Sequence, residues 1–476
     1  MDDELLVPPE NEAAAGGAEN GDSRLRRASW PATCLNFMCV TWGAIQLPYA
    51  FGQMGWTYGI IGLCLSSIST WVSARMIGEI VLECGAGSYP EVGRAAFGEH
   101  GARAIVVLQW LSYFLTGVVQ LAYSGATYQQ TLPSVPLCEE GWMLASAVLL
   151  GPCALVPSFR EATILSFGVV LAQALGLGVF FGQIADNGQY KKVCYSQVTT
   201  SSALAALSNI AFAYGGHGVL PELAREMSNP KELFKAVDAG YAFMAPSYAA
   251  TGALGFYAFG NAASSNFSEN LRRTPWLEAY LWITSITTVP LLVVGQIVLF
   301  LNVELAWGIL PTDTWRNSNL RLGAEDRKGI VGLPPVLVRF AFRGCYVVAM
   351  YVAARALVGA GLGPLTDIAG ALGIAALTYW VPFILHCKVF WSRYSRLGIA
   401  FVALNVAFGL VVSVTGCYYA FRDLFRESVT FFNESNCREG ADFWGDFLWD
   451  HPLDEHSKAY KTVVVDCCQR GHGCGN

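Results

Sequence analysis

Between residues 30 and 421 the chain is a succession of apolar segments, almost without pause. A helix needs about 20 mostly apolar residues to cross a bilayer. Inside lipid, only helices and closed barrels satisfy their own backbone hydrogen bonds. We read eleven such segments, roughly 31–54, 57–81, 103–131, 141–157, 162–185, 201–224, 236–259, 276–306, 335–360, 364–387 and 396–421. They predict an all-α polytopic membrane protein with about 11 transmembrane helices. Composition agrees: of 476 residues, 54% are hydrophobic and 14% charged, against about 25% charged in soluble domains. Only lipid solvates that much apolar surface. Small residues within the spans, such as Gly176, Gly178 and Gly182, let membrane helices approach closely.

The net charge of −6 gives nucleic acid nothing to bind, and the bilayer is the expected partner. No nucleophile–base arrangement, nucleotide loop or metal-ligand spacing stands out, so neither an enzyme nor a cofactor or metal is expected. The start of the chain is acidic (Asp2, Asp3, Glu4) with no apolar run before Trp30, which does not fit a cleaved signal peptide. The expected organisation is a disordered N-tail over 1–29, a transporter domain over 30–421 and a polar C-terminal tail over 422–476.

Lys and Arg concentrate in cytoplasmic loops. With the N-terminus in the cytoplasm, the inner loops hold Arg24, Arg26, Arg27, Arg75, Arg94, Arg225, Lys231, Lys235, Lys388 and Arg393 among others, and the outer loops few. An odd number of spans then puts the C-terminal tail outside, although Arg422 and Arg426 follow the last span directly. Two sequons fall outside, making Asn266 and Asn433 glycosylation candidates. Cys138 and Cys194 lie in neighbouring outer loops and are candidates for a disulfide in an oxidising compartment.

Two spans are interrupted. In the first, Gly43 and Pro48 flank Ala44-Ile45-Gln46-Leu47. In the sixth, Tyr214-Gly215-Gly216-His217-Gly218 precedes Pro221. Gly weakens a helix and Pro removes an N–H. Backbone groups freed at membrane depth need partners, so such breaks persist where they line a cavity. Paired breaks at corresponding positions of two halves point to a transporter binding site. The second break follows the first after five spans, which predicts a 5+5 inverted repeat plus an eleventh helix. The chemistry suits a zwitterion: a half-helix N-terminus attracts a carboxylate, and freed carbonyls accept from an ammonium group or hold a cation.

Three stretches resemble the amino acid/auxin permease family. They are Leu47-Pro48-Tyr49-Ala50-Phe51 with Gly55-Trp56 and Gly59; Phe212 to Glu222 with Met227 and Asn229-Pro230; and Gly370-Ala371-Leu372-Gly373 with Leu377-Thr378-Tyr379, Pro382 and Leu385-His386. Ser88-Tyr89-Pro90-Glu91 and Phe97-Gly98 add weaker support. The resemblance implies uptake or exchange of amino acids coupled to H+ or Na+, at a plasma membrane or a vacuolar or lysosomal type of membrane. It implies a substrate site built from Gly43, Ala44, Ile45, Gln46, Tyr214, Gly215 and Gly216. This chain has Thr41 where the family often has Gly. It has Gln120, a further expected substrate-site residue, where the family commonly has Tyr. Both changes reshape the pocket.

Other polar residues carry two readings each. His217, with an ordinary pKa near 6.5, either carries a proton or satisfies broken backbone. Glu222 either relays protons or caps the short half-helix. Thr284, Thr287 and Thr288 share a helix face and either line a sodium or substrate site or bond back to their own helix. Asp367, after Pro364, is either a coupling carboxylate or an N-cap. A functional alternative is a sensor of the same fold signalling through a partner. Such a sensor needs a large cytosolic docking segment, and residues 1–29 and 308–334 are both short.

Overall fold

The computed structural model describes residues 28–153, 159–190, 193, 195, 198–306, 335–358 and 361–428. Over these residues it is helical, with a single isolated bridge between Ala28 and Met227 in place of any sheet. The helices are α1 (Trp30–Thr41), α2 (Leu47–Cys84), α3 (Tyr89–Thr131), α4 (Glu139–Cys153), α5 (Phe159–Asn187), α6 (Thr200–Ala213), α7 (Leu220–Glu226), α8 (Leu233–Phe259), α9 (Pro275–Ala306) and α10 (Pro335–Leu357). They continue with α11 (Leu362–Ile368), a π-helical stretch over Ala369–Trp380 interrupted at Ala375, α12 (Val381–Val389) and α13 (Arg396–Ser428).

Each of the eleven predicted segments carries helix. Among the described residues seven helices are long and apolar enough to cross a membrane, eight if the pair over residues 362–389, bent by 42°, is one span. The two counts differ for physical reasons. Helices α1 and α4 have only 12 and 15 residues. Helix α2 fuses the second half of the first segment with the whole of the second. The fusion point is Gly55, where φ of 64° turns the chain in a conformation that glycine alone adopts freely. The molecule is a polytopic membrane protein.

The packing repeats with a shift of five spans. Helix α1 packs on α5 and α8; its counterpart α6 packs on α11 and α2. Helix α3 packs on the π-helical stretch, and its counterpart α9 packs on α5. Helix α4 packs on α9, and α10 on α3. The five segments expected per repeat are an odd number, so successive repeats are expected to enter the membrane from opposite faces, as an inverted repeat does. The glycines of the third family-like stretch serve this packing. A Cβ on Gly370 would fall 2.1 Å from the Ser208 carbonyl oxygen, and one on Gly373 2.7 Å from Ser112 Cα.

Candidate functional site

Both predicted breaks are present and they meet. Helix α1 stops at Thr41, residues 42–46 are non-helical, and α2 starts with Pro48 in its first turn. Helix α6 stops at Ala213, and the chain recovers through a 3-10 turn, His217–Val219, into α7. A Cβ on Gly216 would lie 1.7 Å from Thr41 Oγ1, so the second break presses against the end of α1.

Tyr248 of α8 ties the breaks together. Its hydroxyl accepts from the Gly43 N–H at 2.9 Å and lies 2.7 Å from the carbonyls of both Thr41 and Ala213. A hydroxyl has one proton to give, so the two carbonyls, one from each broken span, share it. The neighbouring Ser247 accepts from the Trp42 indole N–H at 3.1 Å. These residues answer the need of freed backbone for partners at membrane depth.

Beside the breaks lies a cavity of about 130 Å³. Gly43, Ala44, Ile45 and Gln46 line it, with Gly215 from the second break. Gln120 of α3 and Thr284, Thr287 and Thr288 of α9 also face it, as do Phe212, Phe267, Tyr280 and Ile374. Among the described residues no Asp, Glu, Lys, Arg or His lines it. Its polarity comes from hydroxyls, backbone and three glutamines, Gln46, Gln120 and Gln173. Among the described residues none of the three side-chain amides finds a hydrogen-bond partner, and in each of them one amide atom is also sealed from solvent. Buried amide atoms without partners are rare in folded proteins, and this cavity has three in its lining: Gln46 Nε2, Gln120 Oε1 and Gln173 Oε1. Thr287 donates to the Ile283 and Thr284 carbonyls, and Thr288 donates to Thr284, so these hydroxyl protons stay on their own helix.

Other expected residues stand outside the cavity. The Tyr214 ring stacks on Tyr241 and meets Tyr248 edge-on, and its hydroxyl shares a hydrogen bond with Ser67. Gly216 is spent on packing against Thr41. His217 is fully buried, with Nε2 2.8 Å from the Thr70 carbonyl and 2.9 Å from Ser73 Oγ. That carbonyl can only accept, so Nε2 carries the proton. Glu222 sits in the first turn of α7, where the cap position is Val219, and accepts from the Tyr89 N–H at the start of α3.

Two expectations need correction. Asp367 is not an N-cap: Gly361 holds that position, and Asp367 falls near the end of α11. Its carboxylate accepts from Ser208 and Asn209, and Asn209 accepts from Thr366, which lines the cavity. Asn266 is 1% exposed and its Oδ1 accepts from the Ser268 N–H and hydroxyl. Its nitrogen is enclosed, so the folded loop offers no amide for a glycan. Cys138 is disulfide-bonded; Cys194 and Asn433 lie outside the described residues.

Tyr248 and Gln173 were not anticipated. Gln173 had a signal, as a lone amide in the apolar run Leu171-Ala172-Gln173-Ala174-Leu175. Tyr248 had none, because a tyrosine in a span also suits the lipid interface.

A profile of the family described as transmembrane amino acid transporter protein matches residues 26–422. The chain belongs to the transmembrane amino acid transporter family. Amino acid transporter AVT1J of Arabidopsis thaliana is 24% identical over 402 residues, 80% of this chain and 88% of that one. Amino acid transporter AVT1B of the same plant is 24% identical over 247 residues, which is 50% of this chain and only 45% of the relative's length. Among solved structures, MhsT in complex with L-phenylalanine aligns at 13% identity and a TM-score of 0.48, covering 86% of this chain and 99% of that one. That likeness is too distant to carry an inference.

Proposed function

We propose that the chain moves uncharged amino acids across a membrane by alternating access, using a proton gradient. The observation that carries the reading is the cavity at the paired breaks, polar yet free of charged side chains. A zwitterion brings both its charges and has both answered by neutral dipoles: the start of α2 for the carboxylate and carbonyl and amide oxygens for the ammonium group. A charged substrate side chain would find no counter-charge, which disfavours it heavily in a site of low dielectric. The size fits a small solute, since a 150 Å³ cavity accommodates benzene, which has as many heavy atoms as alanine.

Protons are favoured over sodium because the Thr41 and Ala213 carbonyls, which converge from the two breaks, are already served by the Tyr248 hydroxyl. His217 faces α2 and not the cavity. The proton is therefore assigned to Asp367, one residue from the cavity-lining Thr366 and linked to it through Asn209. A membrane potential of 100 mV supplies about 2.3 kcal/mol per charge, enough to concentrate a solute roughly 50-fold.

The test is uptake of labelled alanine into proteoliposomes under an imposed pH gradient without sodium. Flux is expected in the wild type and in His217→Asn, and accumulation against a gradient is expected to be lost in Asp367→Asn. Flux that requires sodium and ignores the pH gradient would overturn the proton reading.

A further inference from the structure

We infer that the preferred substrates are those whose side chain carries a hydroxyl or carboxamide, and that Gln120 and Gln173 select them. The inference rests on the reading of the chain as a carrier of uncharged amino acids. Every amino acid has the same main-chain groups, and the backbone of the two breaks is placed to meet them. Gln46 belongs with that set, because its Nε2 is 3.9 Å from where a Cβ on Gly43 would be.

Gln120 and Gln173 come instead from α3 and α5, where the backbone around each is helical. Each lines the cavity, each makes no hydrogen bond within the protein, and the Oε1 of each is sealed from solvent. The Gln120 amide lies against Gly295 of α9, 3.5 and 3.6 Å from the position of a Cβ there. Gln173 is bracketed by the apolar cavity residues Val169, Ala172 and Leu177. An amide offers two donors and an acceptor. A hydroxyl or carboxamide both gives and takes a hydrogen bond, so it satisfies either orientation of the amide. A methyl group in the same place satisfies neither and leaves the amide buried and unpaired. Sites built around buried polar groups reject ligands that lack the matching partner far more strongly than apolar pockets reject a missing methylene.

Threonine and valine provide the test, because they differ by a hydroxyl for a methyl at equal size. Proteoliposomes holding the full chain take up labelled alanine while unlabelled threonine or valine competes. In the wild type threonine is expected to compete roughly ten- to hundredfold better, as follows from an amide left unpaired. In Gln120→Met and Gln173→Met the threonine-to-valine ratio is expected to fall towards one, whatever absolute flux remains. If a variant carries no flux, the same ratio is read from thermal stabilisation of the purified protein by each amino acid. Equal competition by threonine and valine in the wild type would overturn the inference and leave the proposed function standing. An unchanged ratio in both variants would also overturn it. Absence of any uptake or binding of alanine would instead defeat the proposed function itself.

Discussion

Gly43 and Gly216 look alike in the sequence, since each interrupts an apolar span, yet the structure uses them differently. A Cβ on Gly43 would meet nothing nearer than 3.8 Å, whereas one on Gly216 would collide with Thr41 Oγ1. The difference depends on a contact across 175 positions, between Thr41 and Gly216, and no local pattern reports it. Gly216→Ala is therefore expected to lower the stability of the purified protein by about 1–3 kcal/mol, the usual cost of overpacking, read as a drop in Tm. Thr41→Gly removes the opposing atoms, so the double variant is expected to recover most of the loss. Additive effects of the two substitutions would show that the contact does not govern the site. Gly43→Ala is expected to leave Tm nearly unchanged, while Gly43→Leu fills cavity space and stops alanine binding.

At the scale of elements, hydropathy and helix-breaking residues made the spans and both breaks legible, along with Gly43, Ala44, Ile45, Gln46, Gln120 and Gly215 as cavity lining. Side-chain direction was not legible. Tyr214 and His217 sit in the second break, but their side chains point to α2 and α8, where Ser67, Thr70, Ser73 and Tyr241 receive them. Helix ends that satisfy each other through one side chain from a third element also escape a linear reading. Tyr248 is that side chain. Tyr248→Phe keeps the ring, and so the edge-on contact with Tyr214 at 4.9 Å between centroids. It removes the hydroxyl that joins Gly43, Thr41 and Ala213. The Gly43 N–H then loses its acceptor and the two carbonyls lose their shared donor, and each unmade buried bond costs on the order of 1 kcal/mol or more. The expected outcome is a folded protein with a lower Tm and at least tenfold slower alanine uptake. Wild-type uptake in this variant would mean that the breaks hold their geometry without the tie.

For the whole molecule, the described ion pairs sort towards two ends. Arg75–Asp238 and Arg393–Glu83 join α2 to α8 and to the turn after α12, at the end holding most of the loop Lys and Arg. Arg355–Glu140 joins α10 to α4 at the other end. Exposed pairs of this kind contribute only about 0–1 kcal/mol each, so they say less about stability than about where water meets the bundle. The excess of loop Lys and Arg at the first of these ends leads us to expect it, with the N-terminus, on the cytoplasmic side. The inverted repeat adds a parity condition: five crossings separate the N-terminus from the loop after α5. Gly188 in that loop has open space around it and a φ of 73°, and a short epitope is placed there. In sealed cells or organelles, an epitope before Trp30 is expected to be reached from the cytosol, and one after Gly188 only once the membrane is permeabilised from its far side. Both epitopes on one side would mean an even number of crossings between them, which an inverted five-span repeat does not allow. Opposite sides with the N-terminus away from the cytosol would keep the repeat and reverse the orientation, separating the packing argument from the charge argument in one experiment.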